Sequence, residues 1–197
     1  MTVAAATIGF ASLLVYDLWT VGVLRGRLFR VCFKLGLALW VIATVSAVSQ
    51  SISCAKLWRT AIFGAATAAS LGLEIYLLFL ALPKDSYTAP ENRRRVCDRG
   101  AYGLCRHPGF WSLAAVYLFL SLALPSGKVL TISALITIYN LVYILFQDRF
   151  IFEKTFTDYA AYKARVPFLI PRFGRRNFEL HSERRDGHET GREAEKR

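Results

Sequence analysis

Charge is what this sequence has least of, and acidic charge above all. Of 197 residues only 20% are Asp, Glu, Lys or Arg, and Asp plus Glu number 14. A soluble chain of this length could not bury the remaining apolar surface, since 54% of the residues are hydrophobic and mean hydropathy is +0.35. That excludes a soluble enzyme, a disordered chain and a soluble basic nucleic-acid binder. Cysteine is scarce at 4, which excludes a disulfide scaffold. Cys97 and Cys105 are spaced C-x7-C with only His107 nearby, which fits no zinc pattern, so no metal is expected. His181 and His188 fall in a polar C-terminal stretch and read as solvated. No internal repeat and no Gly-rich dinucleotide fingerprint occurs.

What the sequence does have is long apolar runs. Five are long enough for membrane-crossing helices, at about 3–24, 31–49, 60–82, 109–126 and 128–146. The first lacks a basic leader and a small-residue cleavage site, so it is expected to be a real span rather than a signal peptide. Pro125-Ser126-Gly127 makes the last pair a tight hairpin. In the third run Gly64, Ala68 and Gly72 recur every fourth residue, a stripe expected to pack on a neighbouring helix.

The net charge of +11 follows this pattern. If the five runs span, 22 Lys and Arg fall on one side and 3 on the other. The positive-inside rule puts the larger set in the cytosol, with the N-terminus outside and the C-terminus inside. The expected fold class is therefore all-α: a polytopic membrane protein with five transmembrane helices and a cytosolic amphipathic C-terminal helix. Residues 1–172 form the membrane domain. Residues 173–197 carry 7 basic and 6 acidic groups and read as a disordered cytosolic tail. The basic side also favours anionic lipid headgroups.

Two segments on that side carry chemistry. One is Gly100-Ala101-Tyr102-Gly103-Leu104-Cys105-Arg106-His107-Pro108-Gly109-Phe110. Pro108 suits the first turn of a helix. Arg106 and His107 then stand at that helix start, either as an anion-binding corner or as a headgroup anchor. The other is an interfacial helix over about 147–165, with Phe152, Phe156, Tyr159, Tyr162 and Val166 on one face. Val166-Pro167 ends it, and Phe168-Leu169-Ile170-Pro171 follows as an extended apolar stretch. Asp17 and Glu74 are carboxylates within spans: functional candidates by position, or else paired, as Asp17 could be with Lys34.

Together these segments resemble the isoprenylcysteine carboxyl methyltransferase and phospholipid methyltransferase superfamily. The resemblance covers about residues 95–172. It rests on Gly100-x-Tyr102, Arg106-His107-Pro108-x-Phe110, the hairpin, Gln147-Asp148, Tyr159-x-x-Tyr162-x-x-x-Val166-Pro167 and Ile170-Pro171. Phe110 stands where the family has Tyr, and Gln147-Asp148 where it has a Glu pair. The first three runs show only generic hydrophobicity.

The resemblance implies a membrane methyltransferase using S-adenosylmethionine as methyl donor. It implies cofactor-binding roles for Tyr102, Arg106, His107, Pro108, Phe110, Gln147, Tyr159 and Tyr162, and catalytic roles for Arg106 and Asp148. The implied partners are membrane lipids and a lipophilic acceptor entering from the bilayer, with no nucleic acid and no metal. The expected reaction is O-methylation of an isoprenylcysteine-like or other lipophilic carboxylate. N-methylation of a phospholipid amine is the second reading. A non-enzymatic scaffold or transporter on a degenerate frame is the third.

Overall fold

The structure, a computed structural model, describes residues 1–82 and 94–172, with only the backbone at Arg27 and Cys54. The tail at 173–197, and Lys84 and Arg93 of the third loop, lie outside the described residues.

All regular structure among the described residues is helical. The elements are α1 (Thr2–Thr20), α2 (Arg30–Ser49), α3 (Leu57–Ile75), α4 (Ala101–Leu104), α5 (Pro108–Ala123), α6 (Gly127–Phe146), α7 (Phe152–Thr155) and α8 (Tyr159–Arg165). Two wide π turns extend the long helices, Tyr76–Leu80 after α3 and Gln147–Ile151 between α6 and α7. Four stretches are long and apolar enough to cross a membrane: Thr2–Thr20, Arg30–Ser49, Leu57–Leu80 and Gly127–Thr155. The chain is an all-α protein of membrane type. Helix α5 is apolar but has 16 residues, about 24 Å of rise.

Helix α1 packs along α2, α3 along α5, and α6 against α1, α2 and α5. The main core joins Ala6 and Leu13 of α1, Trp40, Ala43 and Ala47 of α2, and Tyr117, Val129, Ile132 and Ile136 of the α5–α6 hairpin. Hydroxyl pairs tie helices together at Thr7–Tyr139 (2.8 Å) and Thr44–Tyr117 (2.9 Å). At the hairpin, Ser126 Oγ accepts from the Val129 N–H and donates to Ser51 Oγ at 2.6 Å.

The Gly64-Ala68-Gly72 stripe does not pack as the sequence suggests. Among the described residues, no neighbouring atom lies within 4 Å of where a Cβ would stand on Gly64 or Gly72. At about 100° per residue, the stripe falls opposite the side carrying Phe63, Ser70, Glu74 and Leu77. Glu74 needs a polar partner in an apolar setting, and it meets Ser112 of α5, so that side turns inward. The close helix approach is between α1 and α2 instead, where a Cβ on Gly36 would sit 2.8 Å from the Gly9 carbonyl oxygen.

The single helix expected over 147–165 is also divided. Helix α6 runs on through the π turn to Thr155, and the chain then turns extended at Phe156. The break lets the Thr157 N–H reach the Arg94 carbonyl (3.0 Å) and lets Asp158 Oδ1 accept the Val96 N–H (2.9 Å). The face of Tyr159, Tyr162 and Val166 consequently packs on Val96, Phe152 and Phe156, against the chain's own loop.

Candidate functional site

The corner begins at Gly100, whose φ of +59° starts the single turn of α4 and suits glycine. Cys105 is extended, and His107 caps α5 with Pro108 at its first turn. The C-terminal segment is laced to this corner. The Arg106 N–H donates to the Pro167 carbonyl (2.9 Å), the Arg172 N–H to the Leu104 carbonyl (3.1 Å) and Trp111 Nε1 to the Leu169 carbonyl (2.8 Å). Tyr162 donates to the Tyr102 carbonyl at 2.7 Å, and Tyr102 donates to the Leu77 carbonyl at 3.0 Å. Tyr102 and Tyr162 thus hold the frame of the corner.

The chemistry converges on the Asp148 carboxylate. Arg106 Nη1 donates to both its oxygens, at 2.8 and 2.9 Å. Tyr159 donates to Oδ1 at 2.5 Å, and His107 Nε2 lies 3.4 Å from the same oxygen. Lys163 Nζ is 3.6 Å from Oδ2 and pairs with Glu153 at 3.0 Å. The Arg106 and Asp148 side chains are each only 10% exposed. Arg106 Nε has no hydrogen-bond partner among the described residues. Aromatic rings wall the cluster: Phe168 lies under the Arg106 guanidinium at 5.4 Å and edge-on to His107 at 5.0 Å, and Phe152 stacks on His107 at 5.8 Å.

Burial, with the Asp148 carboxylate beside it, holds the Tyr159 phenol well above the usual tyrosine range, so Tyr159 remains a donor. Burial likewise raises Tyr162 and the Cys105 thiol.

The fold therefore brings Arg106, His107, Asp148 and Tyr159 together and uses Tyr102 and Tyr162 to support them. It does not bring in Gln147 or Phe110. Gln147 Nε2 turns away and donates to Asp17 Oδ2 at 2.9 Å, because consecutive residues of a helical turn face different neighbours. That contact also takes Asp17, for which Lys34 was the partner suggested by sequence. Phe110 lies edge-on to the Trp111 ring at 5.4 Å.

Three residues of the cluster and its wall have no site role in the sequence reading: Phe152, which spacing places only on the aromatic face, Phe168, which stands in the apolar stretch after Pro167, and Lys163, four residues after Tyr159.

Beside the cluster a groove of about 450 Å³ runs between α3 and α5. Its walls include Leu73 and Leu77 of α3, Trp111 and Ala115 of α5, and Pro171. Leu104, Cys105 and Pro108, which flank Arg106 and His107 in the chain, also line it. Its size is in the range of small-ligand sites. Compared with family models, curated proteins and solved structures, the chain matches none.

Proposed function

We propose that the chain is an integral membrane methyltransferase that uses S-adenosylmethionine to O-methylate an isoprenylcysteine-like or other lipophilic carboxylate. The observation that carries this reading is the contact between Arg106 and Asp148. They come from two motif halves 42 residues apart in sequence, and they meet at 2.8 Å with His107 and Tyr159 on the same carboxylate.

The donor set suits the cofactor. Arg106, His107 and Lys163 crowd one carboxylate, and the Arg106 Nε is buried with no partner among the described residues, so cationic capacity is left for a second carboxylate. Arg106 and His107 would hold the amino-acid carboxylate. The faces of Phe152, Phe168 and Tyr159 would flank a cation. When bound, S-adenosylmethionine supplies an electrophilic methyl on sulfonium. The chain supplies no nucleophile in this scheme: it aligns the reactants, an effect worth about 7–11 kcal/mol at best. Asp148 fixes the Arg106 guanidinium, Tyr159 stays protonated and holds Asp148, and the aromatic wall excludes water. The groove between α3 and α5 would receive the acceptor's hydrocarbon chain and bring its polar end toward Arg106.

The topology proposed with this reading has five spans, including the short α5. The N-terminus lies outside and the C-terminus in the cytosol, following the 22-to-3 division of basic residues. The cluster then faces the compartment that holds the cofactor. A second reading, N-methylation of a phospholipid amine, draws on Glu74, whose carboxylate accepts from Ser112 on the groove wall and could face an ammonium group.

Calorimetry of S-adenosylmethionine with the purified protein tests the proposal. Binding is expected, and it is expected to be lost in Arg106→Ala and His107→Ala. No binding by the wild type, or binding unchanged in both variants, ends the enzyme reading. A radiolabelled methyl-transfer screen over prenylcysteine analogues, isoprenoid and fatty acids and phosphatidylethanolamine then separates the acceptors. A base-labile product is an ester, and a stable one indicates N-methylation.

A further inference from the structure

Asp17, in the last turn of α1, is 5% exposed and belongs to none of the groups around Arg106. Its Oδ2 accepts from Gln147 Nε2 at 2.9 Å, and the Tyr143 side chain stands beside it. Gln147 opens the π turn, which closes when the Phe152 N–H bonds to the Gln147 carbonyl. A π turn carries an extra residue, so α-helical geometry does not dictate where its side chains aim. In this turn the two polar residues are tethered to different neighbours: Gln147 to α1, and Asp148 to Arg106, His107 and Tyr159. A rotation that carried Gln147 off Asp17 would carry Asp148 off Arg106.

We infer that Asp17 is a positioning residue: through Gln147 it sets the rotation of the π turn and thereby the aim of Asp148 at Arg106. Its relevance to methyl transfer rests on the function proposed above; its effect on Arg106 does not.

The test uses the full chain in detergent, without cofactor, and reads phenylglyoxal modification of Arg106 by mass spectrometry. Asp148 shields Arg106 in the wild type, and Asp148→Asn supplies the unshielded reference. Asp17→Ala and Gln147→Glu are each expected to speed Arg106 labelling roughly fivefold or more, as loss of one buried charge-assisted hydrogen bond would. Labelling of Arg59, on α3, should not change, whereas general loosening would raise both. The swap Asp17→Asn with Gln147→Glu exchanges donor and acceptor and should return labelling to within about twofold of wild type. Affinity for S-adenosylmethionine should fall about tenfold in the single variants and recover in the swap. If Asp17→Ala does not accumulate, Gln147→Glu against the swap still decides, since neither changes side-chain volume much. Unchanged Arg106 labelling in the single variants, or a swap that fails to restore it, overturns the inference. A wild type that binds no S-adenosylmethionine removes the methyl-transfer reading, while the labelling still rules on Asp17.

Discussion

Arg106 grips Asp148 with one nitrogen: Nη1 reaches both carboxylate oxygens at 2.8 and 2.9 Å, while Nε has no partner among the described residues. A guanidinium carries five N–H donors, and this grip on Asp148 engages Nη1 alone, so donors remain for a second anion and the ion pair is compatible with an anion-binding site.

The pair is also structural. With both side chains only 10% exposed, Arg106→Ala or Asp148→Ala strands a buried charge, at a cost of about 3–5 kcal/mol. The double variant should lose clearly less than the two singles combined, with a coupling of about 0.5–3 kcal/mol. Thermal unfolding of the four proteins in one detergent checks this, and strict additivity would show that the contact is idle. Asp148→Asn keeps the shape of the side chain, so it should lower turnover far more than protein level.

Tyr159 should resist ionisation. A phenol whose folded pKa is raised keeps its proton after the unfolded chain has lost one near pH 10, the ordinary range of a tyrosine in water. The folded state then binds more protons, and stability falls as pH climbs above that point. Tyr159→Phe should flatten this alkaline decline and, by removing a hydrogen bond to a carboxylate, lower stability at neutral pH by about 1.5–3 kcal/mol. An alkaline decline of equal steepness in Tyr159→Phe would assign it to another group.

Cys105 should be inert. It is buried, and its thiol is raised by that burial, whereas Cys97 is half-buried in the same loop. Maleimide at neutral pH is expected to modify Cys97 at least about tenfold faster than Cys105, since the thiolate is the reactive form. Equal rates would mean that the corner opens readily in solution.

Two sets of glycines should behave oppositely. Gly36→Ala forces a methyl to 2.8 Å from the Gly9 carbonyl oxygen, so α1 and α2 must separate, at a cost of about 1–3 kcal/mol. Gly64→Ala and Gly72→Ala meet no neighbour within 4 Å among the described residues and should be neutral or slightly stabilising through helix propensity. A destabilisation at Gly64 or Gly72 equal to that at Gly36 would indicate an intermolecular contact along α3.

Much of this protein was legible in one dimension. Apolar runs locate the long helices to within a few residues, because the length of hydrocarbon to be crossed leaves a gross mark on composition. Pro108 marks a helix start, and Pro125-Ser126-Gly127 marks a hairpin, because backbone constraints are local. The two motif halves point to one corner. Periodicity misplaced what depends on neighbours. It put Gly64, Ala68 and Gly72 in a helix interface, and it ran one helix through 147–165. It could not tell which way a π turn sends Gln147 and Asp148.

The sequence alone determined an all-helical chain of membrane type, the small set of polar residues that interrupt its apolar runs, and the order of the motifs, since these follow from hydropathy and local backbone chemistry. Only the tertiary structure decided which of those residues meet. The pairings of Arg106 with Asp148, Asp17 with Gln147 and Glu74 with Ser112 join residues 38 to 130 positions apart. In an apolar setting each buried polar group must find a partner, and helix rotation, which no local pattern encodes, selects it.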